Sequence, residues 1–160
     1  MRRTGWLTAG VGCWHRFNER WAEEVRRAGG LDVVFADCFR GFEYGCKALI
    51  RDLMQRQMIR RRTDARDHRH CALTFAVSDR FQRTQGWSAS AAVVDILVEL
   101  MKLFYEDGDC PYTGHVLSHR AYGATMHYFT AIVHERQWTP SIPGFNTIVQ
   151  HTEERFYNPS

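Results

Sequence analysis

Residues 88–105, SASAAVVDILVELMKLFY, carry charge only at Asp95, Glu99 and Lys102. Those three recur at steps of four and three, so on an α-helix they form one narrow polar stripe. The rest of the circumference is apolar, and a helix of that kind has to be buried on most sides, in its own core or against another subunit. The charges keep the run short of the ~20 uninterrupted apolar residues that span a bilayer, so no transmembrane helix is expected. A strand reading stays open, because Val94, Ile96, Val98 and Leu100 alternate with Asp95, Leu97, Glu99 and Met101. Length and polar spacing favour the helix.

Around this element the periodicity lays out an α+β chain. Trp14, Phe17, Trp21 and Val25 make a helical seam that Gly29-Gly30 ends. Asp32 is placed to cap a second helix running through Phe35, Phe39, Phe42, Cys46, Leu49 and Leu53 toward Met58. Within it Gly41 and Gly45 form G-x-x-x-G. Glycine in a helix interior costs about 1 kcal/mol against alanine, so the pair predicts close backbone approach by a neighbour. CALTFAV, 71–77, reads as a short strand or a helix start. After the turn-rich GDCPYTG, 108–114, two runs within 115–138 read as strands, and FNTIVQHTEERFY, 145–157, as another. The expected architecture is N-terminal helices followed by a small antiparallel sheet, in a single domain over 14–160 preceded by an arm over 1–13.

FEYGCK, Phe42 to Lys47, resembles the F-x-x-G-x-K stretch that opens the domain of the Tim44-like family. The order of helices followed by a sheet is similar to that family's NTF2-like α+β fold. The resemblance implies a non-enzymatic mitochondrial protein that docks at the inner membrane or on a large complex.

QMIRRRTDARDHRHC, 57–71, packs five arginines, two aspartates and two histidines into one polar block. Arg60, Arg61, Arg62, Arg66 and Arg69 suit phosphate or an acidic partner. Asp64 and Asp67 offset part of that charge, no aromatic is interleaved to stack a base, and the Asp, His and Cys spacing matches no closed zinc pattern. The block therefore reads as an exposed charged connection and docking surface. The net charge of +3 is too mild to argue for nucleic acid by itself. Five cysteines with no C-x-x-C pair disfavour a disulfide framework and favour a reducing compartment, with Cys38 and Cys46 read as small buried hydrophobes on one helix. His115, His119, His127, His134 and His151 crowd the C-terminal third, but no H-E-x-x-H occurs and no metal is expected. On a strand His115 and His119 would share a face, while His127 and His134 would point oppositely.

G-x-S-x-G, G-x-x-x-x-G-K-[ST] and G-x-G-x-x-G are all missing from the sequence, so no catalytic residue or cofactor is assigned. Asp95, Glu99 and His127 remain a set that a fold could bring together. Arg2, Arg3 and Arg16 precede the first acidic residue, interleaved with Trp6, Leu7, Val11 and Trp14, which is the flavour of an uncleaved mitochondrial targeting or anchoring arm. The leading expectation is a structural accessory subunit of a multiprotein complex of the respiratory-chain or ATP synthase type, on the matrix side of the inner membrane. Its partners would be other protein subunits, met through Arg2, Arg3, Trp6, Leu7, Trp14 and Arg60 to Arg62, with anionic lipid a further contact for the arm. An RNA- or ribosome-associated protein and a small NTF2-like enzyme or ligand binder are the alternatives.

Overall fold

The computed structural model describes residues 19–38, 41–61, 70–105, 108–138, 142–148 and 150. Helix α1 spans Glu19–Arg27 and strand β1 Val33–Cys38. A π-helical turn, Phe42–Cys46, runs directly into α2, Lys47–Gln55. Strand β2, Cys71–Ser78, is followed by α3, Arg80–Thr84, and α4, Ala89–Tyr105. The hairpin of β3, Tyr112–Tyr122, and β4, Met126–Glu135, completes a four-stranded sheet of order β1-β2-β4-β3. The class is α+β as expected, but the sheet is mixed: β1 and β2 are parallel and the other pairs antiparallel.

The long helix expected from Asp32 to Met58 does not form as one element. Val33–Cys38 pairs with β2 over six consecutive residues, and Asp32 forms an ion pair with Arg60 at 2.6 Å instead of capping a helix. The helical spacing of Phe35, Phe39, Phe42 and Cys46 is overridden by two local facts. Val33-Val34-Phe35 is β-branched and aromatic, and Gly41 sits at φ 88°, which ends the extended segment before the π-turn begins. The G-x-x-x-G pair therefore straddles a helix start. A Cβ on Gly41 would lie 3.2 Å from the Ser78 carbonyl oxygen, whereas one on Gly45 would make ordinary contact with Cys38 at 4.0 Å. Close approach is a property of Gly41. Cys38 and Cys46, expected to be reduced and on one helix, are disulfide-bonded with their Cα atoms 5.8 Å apart, tying the end of β1 to the helix that follows. The strand expected over 145–157 is replaced, where it is described, by a helical turn at 145–148 after Pro143-Gly144.

One face of the sheet holds the core. Leu73, Phe75 and Val77 of β2 alternate inward beside Phe129, Ala131 and Val133 of β4, and Phe75 stacks on Phe129 at 5.2 Å. The π-turn contributes Phe42, 6.2 Å from Phe75, while α2 contributes Leu49, Ile50 and Leu53. Helix α4 buries Ile96, Leu97, Leu100 and Phe104, as its apolar circumference requires. Its polar stripe meets other elements through Gln82, which donates to Asp95 at 3.0 Å, and Lys47, which donates to Glu99 at 2.7 Å; Lys102 of the same stripe also donates to Glu99 at 2.9 Å. Those two ammonium groups hold the Glu99 carboxyl down at about 2.

Helix α1 ends in a Schellman pattern, with Gly30 N–H donating to the Val25 carbonyl at 2.9 Å and Gly29 N–H to the Arg26 carbonyl at 3.0 Å. The chain then runs against 58–60 through the Leu31–Ile59 bridge. A Cβ on Gly30, at φ 86°, would lie 2.6 Å from the backbone nitrogen of Arg60. Gly86 has a similar φ of 85° with nothing within 4 Å. Gly30→Ala is therefore expected to destabilise by upwards of about 2 kcal/mol, from dihedral strain and overlap together. Gly86→Ala should cost about 1 kcal/mol from the dihedral alone. Paired chemical denaturation checks this, and equal losses would refute close packing at Gly30.

Candidate functional site

The sheet face opposite the core is the first candidate surface. In β1, Val33, Phe35 and Asp37 point to it, and the cross-strand register aligns them with Thr74 and Ala76 of β2, Tyr128 and Thr130 of β4, and Arg120 and Tyr122 of β3. Phe35, Tyr128 and Tyr122 form a row of rings across the sheet, with centroid spacings of 6.2 and 5.3 Å. Val33 is 70%, Phe35 62% and Tyr122 45% exposed. No described helix crosses this row. Sequence reasoning missed it because Phe35 was placed on a helix, while Tyr122 and Tyr128 gain their meaning only from the β3–β4 register.

At one end of the same face the chain builds a histidine pair. His134 Nδ1 lies 2.7 Å from the Glu135 carbonyl, which can only accept, so Nδ1 carries the proton. Its Nε2 then accepts from His115 Nε2–H at 3.1 Å, and His115 Nδ1 accepts from the Tyr105 hydroxyl at 3.0 Å. The rings stack 5.2 Å apart, and Phe145 stands edge-on to His115 at 5.2 Å. Burial, and then the neighbouring ring, push His115 down to about 4; burial also lowers His134. Both rings are neutral near pH 7 and act as packed polar groups.

A second relay lies on the core side, at the opposite end of the sheet. Asp79, fully buried just after β2, accepts from His127 Nε2–H at 2.8 Å, and Arg83 approaches the same oxygen at 3.2 Å. On its other side, His127 Nδ1 is hydrogen-bonded to His119 Nε2 at 2.9 Å. The other Asp79 carboxylate oxygen, Oδ1, is buried without a hydrogen-bond partner among the described residues. This carboxylate–imidazole–imidazole line resembles the arrangement that orients a general base, yet neither of two clefts of about 340 and 330 Å³ is lined by any of its members. The larger lies between α2 and α4, lined by Lys47, Arg51, Glu99 and Lys102 among others. Asp95, Glu99 and His127 are not brought together: Asp95 is held by Gln82, Glu99 by two lysines and His127 by Asp79.

His115 and His119, expected to share a strand face, lie on opposite faces. A bulge between Val116 and Ser118 shifts the register, so His115 pairs with Ile132 on the open face and His119 with Phe129 on the core face. No group of three or more metal-ligand side chains converges among the described residues. Of the expected partner-binding residues, Arg2, Arg3, Trp6, Leu7, Trp14, Arg62, Arg66 and Arg69 lie outside the described residues. Arg60 is engaged by Asp32 and by the Gly30 carbonyl, while Arg61 donates to the Tyr112 hydroxyl at 3.2 Å. Both brace their own domain.

The depressed pKa of His115 makes stability pH-dependent. Between its ordinary 6.5 and about 4 the unfolded chain binds the proton that the folded chain refuses, so stability is full above the upper value and falls as pH drops through this window. Glu99 acts in a lower window, from 4.5 down to about 2. The urea midpoint is expected to decline from pH 6.5 to 4 and to decline less in His115→Phe. An unchanged slope in the variant would contradict a buried neutral His115.

No family model matches the chain, and no curated protein or solved structure matches it either.

Proposed function

We propose that this chain is a non-enzymatic accessory subunit that docks onto other proteins of a larger assembly through the open face of its sheet. The observation that supports this most is the ring row Phe35–Tyr128–Tyr122 on a face that no described helix covers. Exposed aromatic surface of this kind marks interfaces, because a ring buries large area while losing few rotamers. The resemblance of FEYGCK to the Tim44-like family and the basic, apolar character of residues 1–16 support a mitochondrial setting at the inner membrane. The Cys38–Cys46 disulfide pulls against the matrix side, since reducing compartments keep such thiols reduced.

A second reading rests on the same face. Aromatic rings spread over a four-stranded sheet are also how single-stranded RNA is stacked, and Arg120 beside Tyr128, with the arginine block leading into β2, would meet phosphates.

Tyr122→Asp with Arg120→Glu separates these readings without touching β1. The tagged wild-type chain, isolated from its own cells, is expected to elute with stoichiometric partner subunits. The double variant should elute alone with its melting temperature within a few degrees of wild type. A wild-type chain that elutes alone, or a variant that keeps its partners, removes the docking reading. Salt-sensitive binding of single-stranded RNA, abolished by Tyr122→Ala, would put the RNA reading first.

A further inference from the structure

We infer that the edge of β1, which no other described strand pairs, joins antiparallel with β1 of a second copy of this chain, centred on Phe35, uniting two four-stranded sheets into one of eight strands. The two edges of the sheet are built differently. β3 carries a bulge between Val116 and Ser118 and exposes Ser118 and Arg120, devices that discourage strand addition. β1, VVFADC, has no lysine, proline, glycine or bulge, and its six-residue register with β2 is uninterrupted. It also presents Val33 and Phe35, the two most exposed large hydrophobics among the described residues. Such an edge is a template for another strand.

The hydrogen-bond phase selects the register. Ala72 N–H donates to the Asp32 carbonyl, so in this parallel ladder the main-chain groups of the even-numbered residues Asp32, Val34 and Ala36 face β2. Those of Val33, Phe35 and Asp37 face the outer edge. In an antiparallel pairing centred on Phe35, these three supply every hydrogen-bonded pair: Phe35 with its symmetry mate, and Val33 with Asp37 of the other copy in both directions. Side chains then match as well. Two phenylalanines meet directly across the axis on the open face, Asp37 lies opposite valine, and the two aspartates stay roughly 13 Å apart at 3.3 Å per residue. Centring on Ala36 would keep the side-chain faces but set Asp37 against Phe35 and lose the central hydrogen-bonded pair. The Cys38–Cys46 disulfide and the β2 ladder already hold β1 extended, so little ordering remains to be done on association. The pairing does not depend on the accessory-subunit reading, because its residues differ from those altered in that test.

Sedimentation of the full chain, with amide exchange read residue by residue, tests it. The wild type is expected to dimerise in a concentration-dependent manner, with slowed exchange at Val33, Phe35 and Asp37 in the dimer. Phe35→Lys sets a charge on the axis. Phe35→Pro removes an edge-facing N–H that β2 does not use, so the fold has no ladder bond to lose. Both variants should be monomeric with cooperative melting retained. A wild-type chain that stays monomeric at all concentrations overturns the inference, and so does a dimer that survives both substitutions or leaves the three amides unprotected.

Discussion

Parallel pairing of β1 with β2 requires a connection that returns over the sheet, and here that connection is the π-turn and α2. The crossover commits one sheet face to burial. Phe42 leans on Phe75, Phe75 stacks on Phe129, and α4 closes the same side with Phe104 against Gly114, where a Cβ would lie 2.5 Å from the phenylalanine ring. With the helices of the crossover and α4 spent on that side, the alternation of each strand leaves its other set of side chains to the open face. The exposed ring row is thus a consequence of topology, and the chain has filled it with aromatic residues where polar ones would have sufficed for solubility.

Polar groups inside the domain follow the rule that burial demands a partner. Gln82 meets Asp95, and Thr113 donates to the Phe104 carbonyl at 3.1 Å, fixing the end of α4 to β3. Tyr112, with no exposed surface, donates to the Ile59 carbonyl and receives from Arg61, so one hydroxyl joins β3 to the segment preceding the arginine block. Asp79 departs from the rule through its one oxygen without a partner among the described residues. His127 and Arg83 share its other oxygen, so the carboxylate is neutralised from one side only.

The legibility of the sequence varied with how local the deciding interaction is. Helix α4 was readable because Asp95, Glu99 and Lys102 mark their own stripe, although their partners, Gln82 and Lys47, lie far away in sequence. The β3–β4 hairpin was readable from its β-branched and aromatic runs. β1 was misread because an edge strand with apolar residues on both faces lacks the alternation that identifies a strand, and its phenylalanines continue at helical spacing into the π-turn. The disulfide and both histidine pairs depend on strand placement, which no spacing rule supplies. Asp79 left only a weak signal, an acidic residue between an apolar run and a short helix.

The bulge in β3 works like a change of reading frame. Upstream of it, the strand sends His115 toward the open face; downstream, His119 goes to the core side. Because the bulge absorbs Leu117, two histidines four residues apart in sequence land on opposite faces and join separate networks, one tied through Tyr105 to the end of α4 and one tied through Asp79 to the end of β2. Without Leu117 the strand would pair regularly and still set His115 opposite Ile132 and His119 opposite Phe129, whereas drawing Leu117 into regular pairing would put both rings on one face.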